Sequence, residues 1–262
     1  MYHNRINSPL YLSEFPVLQS EKYILRLATT EEELESVFRL RFQVFNLELG
    51  LGFSSSNFAG MDRDKFDDVC HHLLLIAKDT GATIGTYRMQ TYTMAAKGLG
   101  FDAADIFNLS QIPDFVLQSS VEIGRACIAK EYRNSYTLLL LWQGLANYLI
   151  STGNQYFFGC ASLLTQCTQQ AVCAYNYFLC NHWLHPNILV TPNVEYSLEI
   201  HQNCPDIYDV EIPKILQAYL SIGAKICSLP AIDRHFQTID FLIISNIGDW
   251  GVGSGDWVEF DY

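Results

Sequence analysis

The chain has 262 residues, of which 49% are hydrophobic and 17% charged. That is enough apolar material for one large core and excludes bulk disorder. Asp and Glu outnumber Lys and Arg by 28 to 16, a formal charge of -12, so the overall field opposes nucleic-acid binding.

The first twenty residues read as an irregular arm without a secretory leader, and the predicted elements begin after it. Lys22–Leu27 reads as a strand. Thr29 and Thr30 followed by Glu31, Glu32 and Glu33 read as a capped helix start. The helix that follows carries Leu34, Val37, Phe38, Val44, Phe45 and Glu48 on one stripe, with Arg41 inside it. A polar loop, Gly50–Asp68, leads to strands at His72–Lys78 and Thr83–Gln90, joined by a hairpin at Asp79-Thr80-Gly81. Thr93–Leu117 reads as loop. A buried strand at Val121–Ile128, a helix at Ser135–Ile150, a strand at Gln155–Ala161 and a helix at Thr165–Asn181 follow. The tail supplies a helix at Pro213–Ile222, with Gly223 after it, and strands at Lys225–Leu229 and Thr238–Ile244. This order predicts an α/β fold with a mixed sheet. No stretch reaches the roughly 20 apolar residues of a bilayer span. The eight cysteines form no Cys-x-x-Cys pair, so they are read as reduced, mostly buried thiols of a cytoplasmic protein. Cys70-His71-His72 is the one adjacent cluster of metal-ligand types, and no metal is expected.

Arg41 is the first residue that asks for chemistry. A guanidinium on an apolar stripe must meet carboxylates, because leaving it unpaired costs several kcal/mol. Asp62, Asp64, Asp67, Asp68 and Glu122 are the suppliers in view, and Arg88 and Arg125 are two further cations on strands. Stabilising ion pairs and a polar active site are both open readings of this set. Glu122 and Arg125, three apart, point to opposite faces of a regular strand, so a bulge is predicted at Gly124 to bring them to one face. Lys130 and Arg133 precede a helix N-terminus, which makes a weak phosphate site.

Taken in order, Arg41-Phe42-Gln43-Val44-Phe45, Asp64-Lys65-Phe66-Asp67, Gly85-Thr86-Tyr87-Arg88 and Glu122-Ile123-Gly124-Arg125-Ala126-Cys127 resemble the acyl-carrier-protein-dependent branch of the GNAT N-acyltransferases. That branch holds the ornithine and glycine lipid N-acyltransferases (hemolysin-like), the N-acyl amino acid synthases and the acyl-homoserine lactone synthases. Leu141-Trp142-Gln143-Gly144, Phe158-Gly159-Cys160-Ala161-Ser162, Ala218-Tyr219-Leu220, Pro230-Ala231-Ile232-Asp233 and Asp240-Phe241-Leu242 place the ornithine-lipid type nearer. The resemblance covers residues 22–245.

It implies a GNAT-like mixed twisted sheet flanked by helices and splayed between two central strands. The organisation implied is an arm at 1–20 and a single acyltransferase domain at 21–262 with an extended C-terminal block. The activity implied is transfer of a fatty acyl group from a carrier-protein thioester to an amino acid's amine. Glu122 and Arg125 carry the chemistry, with Glu122 as base. Arg41, Phe45, Asp64, Asp67 and Arg88 hold the acceptor, and Cys127, Ile128, Ala129, Lys130 and Arg133 meet the donor. Tyr175 and Tyr177 are candidates to protonate the leaving thiolate. No cofactor is needed, since the donor brings its own phosphopantetheine. The partners are the carrier protein and a small amine, and the location is cytoplasmic with room for peripheral membrane contact. Arg133–Leu138 lacks the glycines of a coenzyme A pyrophosphate loop, which favours a carrier donor. The other readings are a lactone-type signal synthase, an acetyl-coenzyme A enzyme and a non-catalytic, membrane-active protein.

Overall fold

Thr30 accepts the backbone N–H of Glu33 through its hydroxyl, and the Glu33 carboxylate returns to the Thr30 N–H. This reciprocal cap starts helix α1, Glu31–Phe42. The computed structural model describes residues 15–51, 60–198 and 211–250. They fall into two compact units. Of the described residues, one unit gathers those up to Leu99 with Ile123–Asn154, and the other holds Gly100–Glu122 and those of 155–250. Most of the predicted arm, and part of the polar loop, lie outside the described residues.

In the first unit, β1 (Leu18–Gln19), β2 (Tyr23–Leu27), β3 (His71–Ala77) and β4 (Thr83–Thr91) pair antiparallel in chain order. Gly81 takes the left-handed φ of 70° that the predicted hairpin requires. Leu73 and Leu74 point to opposite faces of β3, and a helix covers each. Val37 and Phe38 of α1 pack on Leu74. Gly144, in helix α4 (Ser135–Thr152), lies against Leu73 and Leu25. α1 passes directly into a π-helical segment, Gln43–Glu48. The wider π turn rotates the end of the predicted stripe: Val44 stays buried, Phe45 is half-buried and Glu48 is exposed.

The region read as loop after Thr91 contains helices. Thr91 caps α2 (Tyr92–Lys97), and Pro113 precedes α3 (Asp114–Gln118). Strand β5, Ser120–Ile128, belongs to both units. Its first three residues pair in parallel with β6 (Tyr156–Leu163), from Ser120↔Tyr156 to Glu122↔Phe158. The second unit continues through helix α5 (Thr168–Cys180) and helix α6 (Lys214–Ser221) to strand β7 (Lys225–Ile226), β8 (Ala231–Asp233) and β9 (Thr238–Asn246). β9 pairs antiparallel with β6, β7 and β8. The architecture is thus mixed α/β with a mixed sheet.

The cysteines correct one expectation. All seven described ones are free thiols, but only Cys70, Cys127 and Cys227 are buried, while Cys160, Cys167 and Cys180 are exposed. Among the described residues no helix is long and apolar enough to cross a membrane.

Candidate active site

The segment Asp64-Lys65-Phe66-Asp67 folds on itself before it meets any arginine. Asp64 Oδ1 accepts the Phe66 N–H at 2.8 Å, and Asp67 Oδ2 accepts the Asp64 N–H at 2.8 Å. This local bonding is what short acidic side chains do in turns. It leaves both carboxylates aimed at three guanidinium groups. Arg41, with no exposed surface, donates from Nε and Nη2 to Asp62 Oδ1 at 2.9 and 2.5 Å, and from Nη1 to Asp67 Oδ1 at 2.7 Å. Arg88 Nη1 lies 2.6 Å from Asp64 Oδ1 and 3.1 Å from Asp67 Oδ1. Arg125 Nη2 reaches Asp64 Oδ2 at 3.1 Å. Three cations, Arg41 and Arg88 buried and Arg125 half-buried, therefore face three aspartates, Asp62, Asp64 and Asp67. Asp68, offered as a fourth supplier, instead pairs with Arg63 at the surface.

Burial alone would raise the Asp64 and Asp67 carboxyls, but the guanidinium groups outweigh it. Arg88 on Asp64 and Arg41 on Asp67 hold both below the usual carboxylate range. Arg41 is held above its ordinary value by Asp67 and Asp62, against its burial. His72, enclosed beside this network with Nε2 at 3.2 Å from the Asp67 carbonyl, is pushed down to about 4 by burial, with Arg41 and Arg88 adding to it against Asp67. The sequence marked His72 as the start of a strand and as a neighbour of Cys70 and His71, with no part in this network. Its ring packs edge-on against Phe38, and His71 Nδ1 meets the Tyr148 hydroxyl at 2.6 Å.

Where the bulge was predicted, β5 carries a residue of positive φ. The left-handed residue in β5 is Arg125, with φ 49°, next to Gly124. A non-glycine residue at such φ costs on the order of 1–3 kcal/mol and persists only where its surroundings hold it. The ion pair with Asp64 is such a hold.

In the second unit the Glu122 carboxylate, 8% exposed, accepts two backbone N–H groups, Asp102 to Oε2 at 2.9 Å and Ala103 to Oε1 at 2.6 Å. Sequence reasoning had set Glu122 among the partners of Arg41; its clamp is the 3-10 turn Asp102–Asp105. Phe101 stacks edge-on against Phe158 beside it, ring centres 4.9 Å apart.

The residues expected to meet the donor are placed in several ways. Lys130 is exposed. Arg133 donates to the Ile128 carbonyl at 2.9 Å and forks onto Glu48, Nη2 to Oε2 at 2.7 Å. The pair holds the Glu48 carboxyl down and the Arg133 guanidinium up. Ala129, also expected to meet the donor, has its N–H taken by the Ile84 carbonyl at 2.8 Å. At the start of α4 the Thr137 N–H is taken by the Asn134 side chain at 3.1 Å, so one donor of the expected phosphate site is spent on the cap. Burial pushes the Cys127 thiol up to about 12, which leaves no thiolate for nucleophilic work. Tyr177 packs edge-on against Trp183, and Tyr175 is half-buried on α5.

Residues 40–143 match the acetyltransferase (GNAT) domain family. The chain is 31% identical over 241 residues to the L-ornithine N(alpha)-acyltransferase of Brucella abortus (strain 2308), covering 84% of this chain and 83% of that one. It is 27% identical over 239 residues to the protein of the same name from Rhizobium meliloti (strain 1021), covering 85% and 79%. Among solved structures it is similar to the AHL synthase LasI, with a TM-score of 0.48 and 12% identity over 91% of this chain and 98% of that one.

Proposed function

The chain belongs to the L-ornithine N(alpha)-acyltransferase family of GNAT-fold acyltransferases, and from that membership we propose that it moves a fatty acyl group from a thioester to the α-amine of ornithine. The observation that carries this reading is the 31% identity spread over 84% of the chain.

The α-amine attacks only when neutral, so the proton leaving nitrogen needs an acceptor. Glu122 is assigned that role, directly or through one water, since its carboxylate is fixed in place by two backbone donors. The carbon–nitrogen bond forms at the thioester carbon, the amine proton passes to Glu122, and the carbon–sulfur bond breaks to release a thiolate, which then takes that proton from Glu122, directly or through water, to leave as the thiol. Arg41 is enclosed by Asp62 and Asp67, so it is a positioning residue. Within the first unit Asp64 and Asp67 hold Arg88 and Arg125 in place, and these arginines, with Phe45, are assigned to acceptor binding.

The donor is assigned as an acyl carrier protein, with phosphopantetheine lying along Cys127–Lys130. The glycine-free stretch Arg133–Leu138 and exposed Lys130 support this over coenzyme A. The protein brings no cofactor of its own. A cytoplasmic location, peripheral membrane contact and a place in lipid biosynthesis belong to the same proposal, because a fatty acyl amino acid partitions into a bilayer.

The test is incubation of purified protein with ornithine and either a fatty acyl carrier protein or the matching fatty acyl-coenzyme A, read by mass spectrometry. N-acylornithine formed faster from the carrier supports the reading. Product from neither donor overturns it, and a preference for coenzyme A overturns the carrier assignment alone.

A further inference from the structure

Asp233 and Asp240 stood out in the sequence only as parts of two motifs, and the chemistry proposed above leaves them unused. Both are buried on the β8–β9 hairpin, at 4% and 3% exposure. Asp240 lies directly opposite Ser162 of β6, Leu242 opposite Cys160, and Phe158 opposite Glu122. Directly paired residues share a face, as do residues two apart on one strand. Glu122, Phe158, Cys160, Ser162 and Asp240 therefore lie on one face of this unit's sheet.

That face is open to solvent at Cys160. Cys160 is exposed although it sits mid-strand, with Phe158 buried on one side and Ser162 half-buried on the other. Its surroundings are nonetheless dense. Burial, then the carboxylates of Asp240, Glu122, Asp102 and Asp233, push its thiol up. An exposed thiol between two covered neighbours on one face leaves an opening over Cys160.

Beyond Cys160 on this face, two buried polar atoms have no hydrogen-bond partner among the described residues, Asp240 Oδ1 and Thr238 Oγ1. They lie two residues apart on the same strand. Asp233, by contrast, is accounted for, since its Oδ1 accepts the N–H groups of His235 and Phe236 at 2.7 and 2.9 Å. No ion pair to Asp240 is found among the described residues, a buried carboxyl without a cation is costly, and burial holds Asp240 up at about 6, with Asp233 adding to it.

We propose that Asp240, with the hydroxyls of Thr238 and Ser162, is the subsite for the distal ammonium group of a linear diamino acid acceptor whose α-amine is presented to Glu122. The inference rests on the ornithine reading above and names the group that reads the side chain. Four residues separate Phe158 from Ser162, roughly 13 Å along the strand at about 3.3 Å per residue. With Glu122 and Asp240 reaching in from the two ends, the remaining span suits a short diamino acid with a hydrogen bond or a water at each end. The ammonium reaches Asp240 over Cys160 by displacing the half-buried Ser162 side chain.

The test compares ornithine with 2-aminopentanoic acid, which has the same carbon skeleton without the second amine, using one fatty acyl thioester as donor. Wild type is expected to prefer ornithine by about tenfold or more in kcat/KM, since a site built for a polar group rejects the analogue that lacks it. Asp240→Asn is expected to bring the ratio to within about threefold, mainly through KM for ornithine. Thr238→Val should fall between, and its ratio decides the matter if Asp240→Asn does not fold. An unchanged ratio in folded Asp240→Asn, or a wild type that acylates both amines alike, overturns the subsite while leaving ornithine acylation standing. A wild type that acylates neither overturns the ornithine reading and the subsite with it.

Discussion

Glu122 Oε1 accepts the backbone N–H of Ala103 at 2.6 Å, while Oε2 accepts that of Asp102 at 2.9 Å. Both oxygens face donors, so a side chain with an amide nitrogen at either position sets donor against donor. Glu122→Gln is therefore expected to lose about 1–3 kcal/mol of stability from the unmet N–H as well as activity. If Glu122 is the base, kcat falls by roughly 10²–10⁴-fold. Thermal melting and single-turnover rates separate the two effects. A folded Glu122→Gln protein with near-normal turnover removes the base assignment.

Arg41 is the keystone of the first unit's charge network, with Asp62 and Asp67 both on it and none of the three exposed above 3%. Truncating it leaves two buried carboxylates facing each other. Arg41→Ala is expected to cost about 3–5 kcal/mol or prevent folding, the usual penalty for breaking a buried pair. Arg41→Lys keeps the charge but not the fork that spans two aspartates, and should lose somewhat less. Urea unfolding decides, and a loss under about 1 kcal/mol for Arg41→Ala would show the network relaxing around the gap.

The arginine–aspartate cluster was legible in the sequence because physics forbids its absence: a guanidinium among apolar side chains has to find acids. The partners of Glu122 were not legible, because a backbone N–H leaves no mark in the sequence. Strong periodic segments such as α4 and β4 were read to within two residues at either end. The two- and three-residue strands β1 and β8 carry no periodicity to read. α2 and α3 had their signals, Thr91 as a cap and Pro113-Asp114 as a start, but each helix is too short to show a stripe. The strand expected over Lys225–Leu229 stops at Ile226, and Ser228 turns its hydroxyl to the Leu242 N–H instead. Asp240 did leave a trace, an acid in an otherwise apolar strand, whose meaning needed the register against Ser162.

Gly144 shows how closely α4 lies on the sheet. A Cβ there would fall 2.6 Å from Leu25 Cδ2 and 2.8 Å from Leu73 Cδ2. Both leucines are buried, so their methyls have little room to yield. Alanine gains about 1 kcal/mol in helix propensity, and overpacking costs typically 1–3 kcal/mol. Gly144→Ala is expected to lower stability by about 1 kcal/mol net. A rise in melting temperature would mean that the leucines repack and that propensity wins.

Two buried groups give the stability opposing slopes with pH. His72 titrates at about 4 in the folded protein and near 6.5 unfolded. The unfolded chain thus binds the extra proton between those values, and stability falls as pH drops through that window, by about 3 kcal/mol. Asp240 titrates at about 6 folded against an ordinary value of 3.8. Here the folded protein holds the extra proton between about 4 and 6, and stability falls by about 3 kcal/mol as pH rises through that range. Asp64 and Asp67 do not enter this window. Their depressed carboxyls contribute stability that is present above the ordinary carboxylate range and lost only below it. The two opposing contributions should leave wild-type stability nearly flat from pH 6.5 to 4. Asp240→Asn removes one of them, so its urea midpoint should fall steeply with acid, and His72→Gln should tilt the other way. Parallel profiles for wild type and Asp240→Asn would mean that the Asp240 carboxyl titrates in its ordinary range.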